Sequence, residues 1–378
     1  MKERIRHILV NIARLVLGVT FVLSGAVKAV DPHGTEYKLH DYLDALGIAG
    51  FFPDFLLVAA AIVLSTLEIM MGAMLLLAIW RRMVTKLAAA FMAVMTAITV
   101  WIFIANPVQD CGCFGDAIVL TNGETLLKNI ILLICALLVA RWPMDINRLF
   151  SKTNQWMLSQ LVLAGSIGVS LWCLFDLPIF DFRPYHVGAD IRKGMEIPAD
   201  AEKPQFETTF IMKKDGVTKE FTLDNYPDST WTFVDSKTVT ISDGYVPPIH
   251  DFSIVTTDGD DITDEVLSDK GYTFLLVSPY LENADDGDFG IIDQIYEYAQ
   301  DHNLKFYCLT ASTEKGISHW QDITGAEYPF CNTDGTTLKT VIRSNPGLVL
   351  LHNGIVVAKW SHNMLPDEEE LTELTSGR

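Results

Sequence analysis

Five stretches are apolar for long enough to cross a hydrocarbon core, which takes about 20 residues of helix. They run near Ile8 to Val30, Phe55 to Ile79, Val84 to Ala105, Leu126 to Ala140 and Trp156 to Asp176. Arg14 and Lys28 interrupt the first, and no small-residue cleavage site follows it, so it reads as a retained helix rather than a secretory signal. The fifth reads as a tether, with Gln155 and Gln160 at its inner end. Beyond it the period changes. Pro178, Pro184 and Gly188 break regular structure, and residues 206–234 alternate like strands, with Lys214-Asp215-Gly216 as the turn of a β-hairpin.

From Pro247 onward, strands and helices alternate. The pattern predicts an opening hairpin of "FSIV" and "DITD" turning at Asp258-Gly259, and a buried strand at Tyr272 to Ser278. It then predicts a helix at Phe289 to His302, a strand at Lys305 to Leu309, a helix at Glu314 to Ile323 and a strand near Tyr328. A helix at Thr336 to Ser344 leads to strands at Leu348 to Leu351 and Ile355 to Trp360, joined by Asn353-Gly354. Such βαβ alternation implies a mainly parallel sheet covered by helices. The divisions expected are a membrane bundle over 1–150, a fifth helix and tether over 151–180, a β-rich linker module over 181–245 and an α/β domain over 246–378.

Charge refines this picture. Residues 1–177 hold 13 Lys and Arg against 12 Asp and Glu, whereas residues 178–378 hold 15 against 35, so almost all of the net −19 lies in the second half. That acidity argues against nucleic acid as a partner. Lys2, Arg4 and Arg6, then Arg81, Arg82 and Lys86, then Arg141, Arg148 and Lys152 mark the ends of the spans that stay in the cytoplasm. The alternate loops, 31–54 and 106–125, hold eight acids and only Lys38 as a cation. An odd number of spans then places the N-terminus in the cytoplasm and the acidic half outside. For a bacterial inner membrane, outside means the periplasm.

One outer loop carries chemistry. Asp110-Cys111-Gly112-Cys113-Phe114-Gly115-Asp116 presents two thiols spaced C-x-C on the oxidising side. Two cysteines held close can pass a disulfide to a partner thiol by exchange, whereas a lone pair of thiols supplies only half of a tetrahedral metal set. A local stabilising bridge is the alternative. Asp110 and Asp116 are expected to oppose thiolate formation. Glu68, near the middle of the second span, is a candidate for a proton or quinone step; its other reading is a structural pair with Arg14 or Lys28. Gly18, Ser24, Gly25, Ser65 and Gly72 allow close helix approach. His33 and His40 share the outer face with the thiols, and none of the nine histidines has ligand spacing. There is no phosphate loop, HExxH or GxSxG.

The run "ARLVLGVTFVLSGAVKAVDP", then "YKLHDYLDALG", "LEIMMGAMLLL" and "DCGCFGD", resembles the MauE branch of the DoxX-like membrane family over about residues 8–142. The resemblance implies a four-helix membrane bundle, with Cys111 and Cys113 in a thiol-disulfide relay in the manner of vitamin K epoxide reductase and DsbB bundles. The C-terminal order of elements, with Asn345-Pro346-Gly347 just before a strand, is similar to the thioredoxin-like fold of the TlpA and peroxiredoxin kind, in which a cis-proline occupies the place of Pro346. That family keeps its thiols after the first core strand, where this chain reads Ser278-Pro279-Tyr280-Leu281-Glu282-Asn283. Cys308 and Cys331 are expected on neighbouring strands, and Cys135 and Cys173 in spans.

Two functions remain open. In one, an outward-facing Cys111/Cys113 pair exchanges electrons with an envelope protein, assisted by Glu68 and with a quinone as the possible cofactor, while a redox-inactive thioredoxin-like domain docks the client. In the other, the protein is a non-catalytic membrane-anchored scaffold whose exported domain binds an envelope partner.

Overall fold

In the computed structural model, residues 1–108, 111–147, 149–203, 205–214, 216–242 and 244–376 are described; Asp110, Arg148 and Asp215 of the expectations above lie outside them. Six helices form the N-terminal bundle: α1 (Lys2–Val30), α2 (Pro32–Ala45), α3 (Asp54–Leu76), α4 (Arg81–Ala105), α5 (Asn122–Arg141) and α6 (Lys152–Phe175). All but α2 are long and apolar enough to cross a membrane.

The sequence shows why α1 and α3 lie against one another. A Cβ at Gly72 would fall 2.7 Å from the Val22 nitrogen and 2.8 Å from the Gly18 carbonyl, and one at Gly25 would fall 2.8 Å from the Ser65 carbonyl. Small residues at these positions let the two backbones touch, which is how helices associate where lipid removes the hydrophobic drive. The short helix α2 stands where an acidic loop is expected. Asp31 caps it by accepting from the Gly34 N–H at 2.8 Å, and Pro32 occupies its first turn. The fifth span leads from the bundle into the C-terminal half, as expected of a tether, and it also packs against the bundle. Helix α6 packs on α1 and α3, burying Ser159, Ser166, Ser170 and Cys173, because these small side chains admit a close approach that apolar density alone does not reveal.

After the short helix α7 (Ile191–Met195) comes a three-stranded sheet, β1 (Gln205–Lys214), β2 (Val217–Thr222) and β3 (Thr232–Ser242), in the order β2-β1-β3. The predicted hairpin accounts for its first two strands, and β3 is the addition. Edge-to-face pairs, Phe210 with Tyr226 and Phe221 with Trp231, hold this thin sheet together.

The α/β domain follows as β4 (Val255–Thr256), α8 (Thr263–Leu267), β5 (Tyr272–Ser278), α9 (Phe289–Asp301), β6 (Lys305–Thr310), α10 (Glu314–Thr324), β7 (Phe330–Asn332), α11 (Gly335–Val341), β8 (Gly347–His352), β9 (Ile355–Ser361) and α12 (Glu368–Thr375). Its sheet runs β4-β7-β6-β5-β8-β9, with β5, β6 and β7 parallel and the others antiparallel. Phe274 and Leu276 face the layer of α9, α10 and α12, while Leu275 and Val277 face α7, α8 and α11. The near-continuous apolar run of β5 therefore follows from burial on both faces. The opening hairpin is reduced to a single bridge between Val255 and Asp261, because Thr263 starts a helix.

This is the thioredoxin-like arrangement, and the Asn345–Pro346 bond is cis. Its boundary differs from the expected 246. The Gly188 and Ile191 amides donate to the Val356 and Gly354 carbonyls at 2.7 and 2.9 Å, and Tyr185 and Ile191 enter the core, so residues 185–195 belong to this domain. Cys308 and Cys331 do sit on neighbouring strands, but Cys308 is opposite Phe330 and Leu309 opposite Cys331, so the two thiols point to opposite faces.

Candidate functional site

The thiol loop spans residues 106–121 between α4 and α5. Its neck is closed by the Asn122 side-chain amide, which donates to Asn106 Oδ1 and the Val108 carbonyl at 2.8 and 3.0 Å. A capping box between Thr121 and Glu124 fixes the far end. Within the loop, Gly112 sits at φ +62°, a conformation that disfavours a side chain, and the Gly115 N–H donates to the Gly112 carbonyl. This turn brings the sulfurs of Cys111 and Cys113 to 3.1 Å.

Three side chains from the bundle hold the loop by its carbonyls. Tyr42 on α2 donates its hydroxyl to the Cys111 carbonyl at 2.6 Å. From α1, Ser24 Oγ and Lys28 Nζ donate to the Cys113 carbonyl at 2.7 and 3.0 Å. Lys28 also donates to Ser24 Oγ and to both oxygens of Glu68 on α3, at 3.0 and 2.8 Å. The pair is buried, with Lys28 6% and Glu68 2% exposed, and Lys28 rather than Arg14 is the partner; Arg14 donates instead to the Leu75 and Leu76 carbonyls. A void of about 30 Å³ lies among Ser24, Lys28, Glu68, Cys113, Lys128 and Asn129. It has room for about one water.

Electrostatics separate the two thiols. Cys113 is pushed down to about 6, first by the hydrogen bond from Cys111 and then by the Lys128 and Lys28 charges, against its own burial. The same hydrogen bond, together with burial, pushes Cys111 up. Lys128 Nζ lies 4.5 Å above the Phe114 ring, poised beside the loop. The expected opposition from the acidic flank is therefore corrected at Asp116, which turns away to Arg343 at 3.6 Å; the acid that opposes the lysines at Cys113 is Glu68. His33 and His40 do not reach the thiols. They pair with Glu36 and Asp44.

The α/β domain meets this loop with the end at which thioredoxins keep their thiols. There Ser278 Oγ donates to Asn345 Oδ1 at 2.6 Å, and the Asn345 amide donates to the Tyr280 carbonyl at 3.0 Å. Arg343, just before this turn, is buried on Asp31 with contacts of 2.9 to 3.1 Å and stacks 5.2 Å from the Tyr37 ring centroid. Between the two parts lies a cleft of about 640 Å³, bounded by Gly112 and Gly115 on one side and Pro279, Tyr280 and Asn345 on the other. Tyr42, Ser24, Lys128 and Arg343 escape sequence reasoning. Each matters through a contact made far along the chain, and only the position of Ser24 one turn before Lys28 hints at a shared helix face.

A family model described as methylamine utilisation protein MauE matches residues 6–141, the segment containing the thiol loop and its supports. Over these residues the chain is similar to that family, and the segment is a MauE-like domain. Residues 206–243 match a domain of unknown function, a range that overlaps the three-stranded sheet. No curated protein matches the chain. Beyond the MauE-like domain, the chain is similar to solved structures that it overlaps over about a third of its length. A protein named as a disulfide isomerase from Bacteroides thetaiotaomicron has 19% identity and a TM-score of 0.27, covering 33% of this chain and 82% of that one. A protein named as a thioredoxin from Neisseria meningitidis has 14% identity and a TM-score of 0.27, covering 32% and 83%. A protein named as the thiol:disulfide interchange protein DsbE from Chlorobium tepidum has the same identity and score, covering 33% and 90%. The strand order β4-β7-β6-β5-β8-β9 and the two covered faces of the sheet are those of a thioredoxin-like fold.

Proposed function

We propose that this membrane protein exchanges thiols and disulfides with an envelope protein through Cys111 and Cys113, with the C-terminal domain as a docking element that takes no electrons. The supporting observation is the loop itself: sulfurs 3.1 Å apart, carbonyls clamped by Tyr42, Ser24 and Lys28, and a Cys113 thiol lowered to about 6. Cys113, as thiolate, attacks one sulfur of a client disulfide; the S–S bond breaks and a client thiolate leaves. Cys111 then attacks Cys113, its proton goes to the second client sulfur as that leaves, and two electrons have passed to the client. Run backwards, the same steps oxidise a client dithiol. Glu68 neutralises Lys28 and lines the same water-sized void as Cys113, which makes it a candidate proton acceptor for the pair. By the distribution of Lys and Arg, the loop and the docking domain face the periplasm.

An apolar groove of about 760 Å³ runs between α2, α3 and α4, from Tyr42 to Trp101. Its lining suits a quinone ring and tail, which when bound would supply a two-electron acceptor for the reduced pair in the direction that oxidises a client dithiol. Tyr42 links that groove to the Cys111 carbonyl.

Trapping tests the reading. In membranes, Cys111→Ser should accumulate mixed disulfides through Cys113, and Cys113→Ser should accumulate far fewer. Thiols that stay in one state with every client, reductant and quinone would favour a scaffold and end the exchange reading.

A further inference from the structure

The cleft between the MauE-like domain and the thioredoxin-like domain contains cationic groups that the protein itself does not satisfy. Arg183 is 2% exposed. Its Nε donates to Asp181 at 2.7 Å and its Nη1 to the Thr340 carbonyl at 3.1 Å, but its Nη2 has no acceptor among the described residues. An unmet donor on a buried charge is costly, so an oxygen supplied from elsewhere has that cost to recover. Lys339, on the same cleft, sits 4.8 and 5.4 Å from the ring centroids of Tyr37 and Tyr280 and makes no ion pair among the described residues.

The acids around these two are already committed or lie at the mouth. Asp31 is taken by Arg343, Asp181 by Arg183 and Lys359, and Glu36 by His33. Asp116, at 3.6 Å from Arg343, is its second acid, while Asp41 and Asp54 are exposed. The cleft is therefore lined by one buried guanidinium, paired with Asp181 but with its Nη2 lacking an acceptor, and by one ammonium without a carboxylate. Aromatic surface, including the stacked Phe180 and Phe182, borders them. A volume of about 640 Å³ lies within the usual small-ligand range of about 300–1,000 Å³.

We infer that this cleft binds a carboxylate-bearing ligand of small-peptide size, with Arg183 and Lys339 taking the carboxylate and Gly112 of the thiol loop bordering the remainder. At the two cations one carboxylate group fits better than a phosphate dianion, which would concentrate two charges where Asp31 and Asp116 remain close by. The inference deepens the exchange reading: it gives the sulfur substrate an acidic group beside its cysteine or disulfide.

Binding and redox can be separated in the full chain in lipid nanodiscs. In Cys111→Ser/Cys113→Ser protein, calorimetry should show 3,3′-dithiodipropionate binding about tenfold or more tighter than the neutral bis(2-hydroxyethyl) disulfide, the size of one charge-assisted contact. Lys339→Gln should remove most of that preference and Lys339→Arg restore it, which controls for misfolding of the glutamine variant. Equal binding of the two disulfides, an unmoved preference in Lys339→Gln, or inorganic phosphate binding as tightly as the dicarboxylate would overturn the inference. Carboxylate-selective binding to protein whose wild-type thiols never react would uphold the site and end the exchange reading alone.

Discussion

At the scale of residues, the site depends on two cysteines being made unequal. Cys113 should react with iodoacetamide at lower pH than Cys111, falling away as its thiolate takes a proton, while Cys111 needs more alkaline solution. Mass spectrometry of each peptide across pH reads both curves, and Lys128→Gln should move the Cys113 midpoint upward. The buried Lys28–Glu68 pair makes a second prediction. Glu68→Gln strands an ammonium and should cost about 3–5 kcal/mol in thermal or denaturant unfolding, whereas Lys28→Met with Glu68→Met should recover most of it. Cys111, Cys113 and Glu68 could be read from the sequence because a thiol pair and an intramembrane carboxyl stand out against their surroundings. Lys128 and Tyr42 could not, since a lysine near a helix start and a tyrosine in a polar segment are ordinary until the fold brings the loop to them.

At the scale of elements, the joint between α1 and α3 is set by what is missing at Gly18, Gly25 and Gly72. Gly72→Val would press on the Val22 nitrogen and should destabilise by about 1–3 kcal/mol, as overpacking does. Gly165 on α6 has nothing within 4 Å of an added Cβ, so Gly165→Ala should be neutral or stabilise by about 0.5–1 kcal/mol; melting temperatures of the two variants decide it. The long elements were legible because their period is long. The sheet strands and four of the spans fall within a few residues of their predicted places, and Asn353 and Gly354, both at positive φ, form the tight turn their dipeptide announces. What the pattern missed is short or polar: α2, which a cap and a proline start, and β3, whose "TFVDSKTVTIS" carries little apolar weight.

At the scale of the whole molecule, the two halves are fastened at Arg343 and Asp31. Burial opposes the Asp31 carboxylate, but Arg343 holds it at about 2, below its ordinary 3.8. A carboxyl lowered in the folded state contributes its stability above the ordinary value and loses it as pH falls through the lowered one, so the joint should hold above about pH 4 and loosen toward pH 2. Hydrogen exchange at α2 and α11 measures this, and Asp31→Asn should show the loosened pattern at neutral pH. The cleft itself was out of reach of sequence reasoning, because its walls come from segments some 300 residues apart that no local period connects. The three-stranded sheet has a different relation to the rest. Its stem is pinned where the Ile249 N–H donates to the Gly194 carbonyl at 3.0 Å and Tyr245 to Glu202 at 2.9 Å. Departing and returning backbone thus sit side by side, as in a cassette plugged into a socket, and a brief glycine-serine splice across residues 197–246 should leave a protein that still inserts and melts as before.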